Sequence, residues 1–188
     1  MIIADKLKNT NRAEYLLYLW QVEDIIRAYQ CNEERITQEY TSRFNLEPQL
    51  LKEVNDWYSN LCEMMRTEGK KEQGHLQISQ NVILNLLDLH NNLLHSPNFP
   101  YYKEMYYKVL PYIVELRSKS KAANDTQQTE HKESELETCF DFMYGILMLR
   151  LQKKNITPDT QKAMLDISAF LGQLSDYYFK DKEQPLEF

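Results

Sequence analysis

The apolar residues of this chain recur at the spacing of amphipathic helices. Between Asn11 and Gln30 they return every three or four positions, which places them on one face of a helix: Tyr15, Leu19, Val22, Ile26 and Tyr29. Asn11 and Glu14 resemble a capping box at its start. The pattern predicts a long helix over 11–30, followed by a short helix around Glu33 to Tyr40.

Comparable stripes recur downstream, bounded by proline and glycine. Pro48 opens a helix that runs to about Arg66, and Thr157-Pro158, a cap residue followed by a first-turn proline, opens the last helix. Val is rare, Gly occurs only four times, and no segment alternates as a strand does. We therefore expect an all-α fold, a single-domain helical bundle of five long helices plus one short helix.

The length of 188 residues fits one domain, and we expect a single helical domain over residues 1–188. The polar segment from Ser118 to Ser134 has almost nothing to bury, so we expect a mobile loop at about 118–134. We also expect a frayed tail at about 181–188. Gly145 and Gly172 lie inside predicted helices, where the missing side chain favours close helix crossings.

Charge and apolar runs exclude several classes of protein. The 22 basic and 28 acidic residues give a net charge of −6, which argues against nucleic-acid binding. No apolar run approaches the roughly 18 residues that cross a bilayer, and the first residues do not form a signal peptide. The three cysteines are widely spaced, as in a reduced compartment. We expect a cytoplasmic protein with no membrane and no nucleic-acid partner.

Catalytic and metal-binding patterns are missing from the sequence. A dimetal bundle needs two Glu-x-x-His pairs, and only Glu72 and His75 have that spacing. No Ser or Cys lies in a recognisable nucleophile setting. His90 lies on an apolar stripe and is interpreted as a core-edge histidine with one hydrogen bond, a proton-transfer role being the alternative. We expect no catalytic residue, metal or cofactor, which favours a protein that is not an enzyme, although a site assembled only by folding stays open.

One loop is a candidate anion site. Arg66, Lys70, Lys71 and His75 place three cations and a histidine before a predicted helix N-terminus, and such termini bind anions. It is not a P-loop, because Gly69-x4-Gly74 is followed by His75 rather than Lys, and no strand precedes it. The alternative interpretation is a solvated connector.

The first long helix carries a second apolar face. Leu16 and Trp20 lie toward Glu23 and Arg27, on the side away from the main stripe. Either neighbouring helices surround this helix, or Leu16 and Trp20 form a candidate interaction surface for a protein partner or a second copy.

Several segments resemble a family of uncharacterised Bacteroidetes all-helical proteins classed as a domain of unknown function. The similarity covers nearly the whole chain and rests on these segments: Ala13 to Asp24, Met64 to Arg66, Gly74 to Ile78, Leu116-Arg117, Leu136 to Cys139, Leu149 to Lys154 and Leu186 to Phe188. The segment from Ser118 to Ser134 is longer than the family pattern. The resemblance implies a bacterial intracellular helical protein and no particular activity.

The sequence thus leaves the biochemical function unknown. Our leading hypothesis is an intracellular helical protein-interaction module, because helices with an extra apolar face and no catalytic constellation suit that role. The alternative is binding of a small anionic ligand or nucleotide at the 66–75 loop and the helix N-terminus that follows it.

Overall fold

The computed structural model describes residues 2–123 and 134–188, and every regular element in these ranges is helical. The all-α class predicted from the sequence is therefore confirmed. The α-helices are α1 (Ile2–Thr10), α2 (Arg12–Ala28), α3 (Glu33–Arg35), α4 (Pro48–Thr67), α5 (Gln77–His95), α6 (Pro100–Ala123), α7 (Glu135–Leu151) and α8 (Pro158–Glu183).

The chain groups into two compact units, residues Met1–Val82 and Ile83–Phe188. In the first unit α1 packs on α2, and α2 packs on α4. Its core combines apolar residues of α2 and α4 with Leu76 of the following loop. In the second unit α6, α7 and α8 pack against one another. A single domain over 1–188 stays a prediction.

An irregular helical segment joins α3 to α4. A π-helix, Ile36–Tyr40, follows α3 directly, and a 3₁₀-helix, Thr41–Phe44, continues it. The N–H of Thr41 donates to the carbonyl of Ile36, which is the wide spacing of a π-turn. Asn45 then adopts a left-handed conformation, φ 47°, that ends the segment before Pro48 opens α4. The short helix predicted over 33–40 is thus built in two helical geometries, and the 3₁₀-helix extends it to Phe44.

The helix caps predicted at Asn11 and Thr157 form, and Ser134 adds a cap that the sequence did not predict. The Asn11 side chain accepts a hydrogen bond from the N–H of Glu14, and the Thr157 hydroxyl accepts from the N–H of Thr160. Ser134 and Glu137 form a complete capping box at the start of α7. These bonds satisfy backbone N–H groups that a helix start leaves without partners, and so they define where α2, α7 and α8 begin.

The predicted helix count is too low. Six helices in the described ranges have 17 residues or more, one more than expected, because each of their six apolar stripes is long enough to bury a separate helix. The sequence analysis also missed α1, whose short stripe gives little periodic signal. Ala4 of α1 is buried and α1 packs on α2. This packing supplies the stability that the short apolar stripe alone does not provide.

The predicted loop begins later than expected. α6 extends to Ala123, so residues 118–123 are helical, and the i,i+4 ion pair between Lys119 and Glu115 supports its exposed last turns. Ser134 already caps α7. The remaining residues of the predicted mobile loop, 124–133, lie outside the described residues.

The predicted frayed tail starts inside α8, which continues to Glu183. Beyond it the N–H of Leu186 donates to Asp181 at 2.9 Å, and the Asn98 amide donates to the carbonyl of Glu187 at 3.0 Å. The ring of Phe188 lies 5.8 Å from that of Phe99. These contacts give the last residues of the tail specific partners in the second unit.

The two helical glycines do not mark close helix crossings. A side chain added at Gly145 or Gly172 would meet no described atom within 4 Å, and Gly145 is exposed. That prediction is wrong, because helices in this fold pass these positions at a distance that leaves room for a methyl group.

Candidate functional site

The main candidate site is a cavity in the first unit, which we call the tyrosine cavity. Its volume is about 480 Å³. α2, α4 and the irregular segment supply most of its wall. The lining residues are Ile3, Tyr18, Gln21, Val22, Ile25, Tyr40, Phe44, Leu46, Val54 and Tyr58.

Helix phase brings the α2 residues to the cavity. Tyr18, Gln21, Val22 and Ile25 recur at three and four, so one face of α2 forms a wall. Val22 is buried and also belongs to the unit's apolar core. Ile3, another lining residue, is exposed, so the tyrosine cavity reaches from the core of the first unit to its surface.

Three aromatic rings from the irregular segment and α4 pack edge to face beside this wall. The centroid of the Tyr40 ring lies 5.0 Å from that of Phe44 and 5.7 Å from that of Tyr58, at interplanar angles of 77° and 83°. Such contacts are the favoured geometry for aromatic pairs. The π-turn and 3₁₀-turn thus place Tyr40 and Phe44 together against α4.

The cavity is apolar with a few neutral polar groups. None of its lining residues carries a formal charge at neutral pH, and its polar groups are the phenols of three tyrosines and the Gln21 amide. Burial, and to a smaller extent the nearby Tyr40, raises the pKa of Tyr18 to about 12. Burial raises the pKa of Tyr58 further above its ordinary value. These phenols therefore stay protonated and neutral, able to donate and accept hydrogen bonds.

The opposite face of α2 binds the loop before α5. The buried Glu23 carboxylate accepts hydrogen bonds from the N–H of Leu76 at 3.2 Å and the hydroxyl of Ser79 at 2.7 Å. Its other oxygen lies 2.7 Å from Nδ1 of His75. Arg27 donates to the backbone carbonyls of Lys70 and Gly74. We call Glu23, His75, Leu76 and Ser79 the Glu23 network.

The structure separates the four residues predicted to bind an anion. Arg66 pairs with Glu33 and Glu63, so carboxylates already neutralise it. His75 is bound to Glu23. Lys70 and Lys71 form no ion pair with a described residue. The anion-binding hypothesis therefore retains two lysines and a histidine whose Nδ1 is occupied.

Leu16 and Trp20 do not form an exposed interaction surface. Leu16 is 0% and Trp20 2% exposed. The ring of His75 stacks on that of Trp20 at 4.3 Å and 16°. The second apolar face of α2 is covered in part by a loop of the same chain, and a loop leaves no periodic signal in the sequence.

The polar residues of the second unit support its core. His90 is 3% exposed, and its Nδ1 lies 2.6 Å from the hydroxyl of Tyr102, which confirms the prediction of one hydrogen bond. Burial lowers the pKa of His90 to about 4. The three cysteines of the chain are buried, and burial raises the pKa of Cys62 in the first unit to about 11, which makes its thiol unreactive.

The described ranges contain neither a cluster of metal ligands nor a helix that could span a membrane. Within residues 2–123 and 134–188, no three His, Cys, Asp or Glu side chains come together in a way that holds a metal ion. None of the described helices combines the length and the apolar character needed to span a bilayer.

Sequence reasoning missed the tyrosine cavity entirely. Tyr18, Tyr40 and Tyr58 come from three separate elements, and Tyr18 lies outside the apolar stripe that predicts α2. The one available signal was the concentration of aromatic residues between Tyr29 and Tyr58. Aromatic residues in stripes are usually core, so this signal does not distinguish a filled core from a cavity.

The fold and the cavity define a class, an all-helical protein whose first unit holds an apolar cavity of ligand size. A family model described as Domain of unknown function (DUF4924) matches residues 1–185, and the chain belongs to this family. No curated protein and no solved structure matches the sequence.

Proposed function

We propose that the tyrosine cavity binds a neutral, mostly apolar small molecule with one or two hydrogen-bonding groups. The observation that carries the proposal is the cavity itself, about 480 Å³ of apolar space lined by three phenols and an amide. Ligand sites are usually concave, mostly apolar and roughly 300–1,000 Å³ in volume, with a few polar groups that orient the ligand.

The lining favours a neutral ligand over a charged one. A carboxylate or ammonium group in the cavity would lose its hydration without meeting an opposite charge, which is costly. The Gln21 amide forms no hydrogen bond with a described residue, so it remains available to a ligand. A neutral hydroxyl or carbonyl on the ligand would suit the Gln21 amide and the phenol of Tyr40.

This proposal replaces the interaction module as our leading hypothesis. That hypothesis depended on Leu16 and Trp20 as an exposed surface, and both are buried. The anionic-ligand alternative loses Arg66 to its two carboxylate partners. A mostly apolar ligand in the tyrosine cavity requires neither surface.

The first experiment titrates the protein with N-phenyl-1-naphthylamine, a neutral apolar dye that fluoresces more strongly when it leaves water. We expect saturable binding to the wild type. Leu46→Trp adds bulk to the cavity wall and should weaken dye binding at least about tenfold, since a ring would occupy the site. Leu84→Trp is the matched control, because Leu84 is exposed on α5 and the same substitution there leaves the cavity unchanged.

A competition experiment tests the neutral character of the ligand. Decanol should displace the dye at lower concentration than decanoate, because the charged carboxylate of decanoate loses its hydration when it enters the cavity. Absence of saturable dye binding, or equal binding by Leu46→Trp and Leu84→Trp when both are folded by circular dichroism, would contradict the proposal. Stronger displacement by decanoate would show that the site prefers anions.

The setting we propose is the cytoplasm of a bacterium. The resemblance to Bacteroidetes proteins supports the origin, and three widely spaced cysteines suit a reducing compartment. The net charge of −6 argues against a nucleic-acid partner. Fractionation of the source cells, with immunodetection of the chain, tests the location.

A further inference from the structure

His75 is held in one orientation by the Glu23 network. Its Nδ1 lies 2.7 Å from the Glu23 carboxylate, which is itself 2% exposed and fixed by Leu76 and Ser79. The Trp20 ring stacks at 4.3 Å and limits tilting of the imidazole. A buried carboxylate and an aromatic floor together fix both the position and the rotation of the ring.

This arrangement directs the other ring nitrogen outward. Donation from Nδ1–H to a carboxylate leaves the Nε2 lone pair available. Nε2 forms no hydrogen bond with a described residue. Glu23 covers Nδ1 and Trp20 covers one face, so the exposed 35% of the side chain includes the edge that carries Nε2.

Two lysines lie in the same loop. The ammonium of Lys70 lies only 3.4 Å from the position that a side-chain carbon on Gly74 would take, so it folds back beside the residue before His75. Lys71 is exposed, and neither lysine forms an ion pair with a described residue. The Arg27 guanidinium donates hydrogen bonds to the backbone carbonyls of Lys70 and Gly74, which holds the loop in place. The loop that carries His75 thus also carries two lysines that no described carboxylate neutralises.

We propose that Nε2 of His75 is a phosphoryl-acceptor site that takes a phosphoryl group from a phosphoramidate or acyl-phosphate donor. It does not depend on ligand binding in the tyrosine cavity. The proposal rests on an oriented imidazole nitrogen with no hydrogen-bond partner among the described residues, a buried carboxylate on the other nitrogen of the same ring, and two lysines in the same loop. A solvent-facing nucleophile activated by a fixed base partner is the arrangement that covalent transfer to a side chain requires.

The transfer balances without an oxidant or reductant. With phosphoramidate, whose nitrogen is protonated, the Nε2 lone pair forms the new nitrogen–phosphorus bond. The old nitrogen–phosphorus bond breaks, and its electron pair leaves on neutral ammonia. The imidazole gains a positive charge, which the Glu23 carboxylate stabilises through the Nδ1 proton.

The competing interpretation is that Glu23 only anchors the loop and the start of α5. His95 provides an internal reference for it, because His95 is exposed and its Nδ1 lies 2.7 Å from the backbone carbonyl of Asn91. Both histidines thus have an occupied Nδ1, and only His75 has a carboxylate there. A purely structural role predicts no special reactivity at His75.

The experiment treats the full chain with potassium phosphoramidate and follows phosphohistidine by ³¹P NMR, with sites assigned by mass spectrometry. We expect phosphorylation of His75 on Nε2 at least about tenfold faster than of His95. Glu23→Gln should slow the reaction at His75 at least about tenfold and leave that at His95 unchanged. Lys70→Gln with Lys71→Gln should slow it severalfold.

Equal rates of phosphorylation at His75 and His95 in the wild type would overturn the proposal. That comparison uses only the wild-type protein, so it does not depend on whether a variant folds. Glu23→Gln that stays folded by circular dichroism and reacts like the wild type would also overturn it. Should Glu23→Gln unfold, Ser79→Ala keeps the carboxylate and removes one of its anchors, and it should slow His75 selectively. Dye binding in the tyrosine cavity is measured separately, so failure of one proposal is distinguishable from failure of the other.

Discussion

The two units place a histidine in opposite settings. His75 in the first unit is partly exposed, with Nδ1 against a buried carboxylate and its face on Trp20. His90 in the second unit is buried, with Nδ1 against the phenol of Tyr102 and edge contacts to Phe170. A carboxylate partner supports a charged or reactive imidazole, whereas a phenol partner and burial keep it neutral. Position, rather than residue type, decides which histidine is a candidate for chemistry.

The tyrosines of the two units show the same contrast. In the first unit Tyr18, Tyr40 and Tyr58 border open space. In the second unit the Tyr102 ring lies 5.4 Å from that of Phe170 and 5.8 Å from that of His90, within a packed cluster. The candidate functional features therefore concentrate in the first unit, where helix geometry is least regular.

The largest expected effect concerns the floor under His75. Trp20→Ala should lower the free energy of unfolding by about 3–5 kcal/mol, because it removes a buried ring and leaves a cavity. Urea denaturation measures this. Tyr107→Ala is the control, since Tyr107 is exposed, and it should change stability by less than about 0.5 kcal/mol. Equal effects in both variants would mean that Trp20 is not buried.

Acid should destabilise the His90 environment selectively. The pKa of His90 is about 4 in the folded chain, below the 6.5 of an ordinary histidine, because burial disfavours the cation. The stabilisation is complete above about pH 6.5 and is lost as the pH falls toward 4, since the unfolded chain binds the proton first. His90→Gln should reduce the loss of stability between pH 7 and 4.5 by roughly 2–3 kcal/mol. Denaturant curves at both pH values test this, and identical pH dependence in the two proteins would contradict it.

The phenol partner of His90 should matter less than the ring beneath His75. Tyr102→Phe leaves the shape of the core and removes the hydroxyl, so the buried His90 nitrogen loses its partner at a cost of about 1–3 kcal/mol. Thermal unfolding measures the difference. Tyr107→Phe, at an exposed site, should leave the melting temperature unchanged. An unchanged melting temperature in Tyr102→Phe would show that the His90 nitrogen finds another hydrogen-bond partner.

The smallest effect belongs to one anchor of the Glu23 network. Ser79→Ala removes a single donor to Glu23, which keeps the N–H of Leu76 and His75, so the loss should be about 1 kcal/mol. Ser42→Ala is a matched control on an exposed hydroxyl that bonds the carbonyl of Gln38. A loss at Ser79 no larger than at Ser42 would weaken the contrast between the two histidines.

Most of the helical fold follows from periodicity and caps. A stripe of apolar residues shows which face must be buried, and Asn11, Pro48 and Thr157 show where helices begin. α1 was missed because its stability comes from packing on α2 rather than from its own stripe. The end of α6 was misplaced because a solvated helix can continue without apolar residues, as the Lys119 ion pair shows.

The candidate site was beyond sequence reasoning for a different reason. Periodicity identifies the buried face of α2 but not the space left between that face, Tyr40 and Tyr58. Whether Leu16 and Trp20 meet neighbouring helices or a partner stayed open in the sequence, because the element that covers Trp20 is a loop. The loop itself was correctly located, and its role as a cover for α2 required the contacts of Glu23 and His75.

The π-turn of Ile36–Tyr40 sets the direction in which the following side chains of the tyrosine cavity wall point. A wide turn holds one more residue than an α-turn for nearly the same advance, so every side chain after it is rotated relative to a regular helix. Loss of one residue there would restore the regular turn and rotate Tyr40, together with Phe44, away from Tyr58 of α4. The shape of the cavity is thus encoded in the number of residues between Arg35 and Asn45 as much as in their identity.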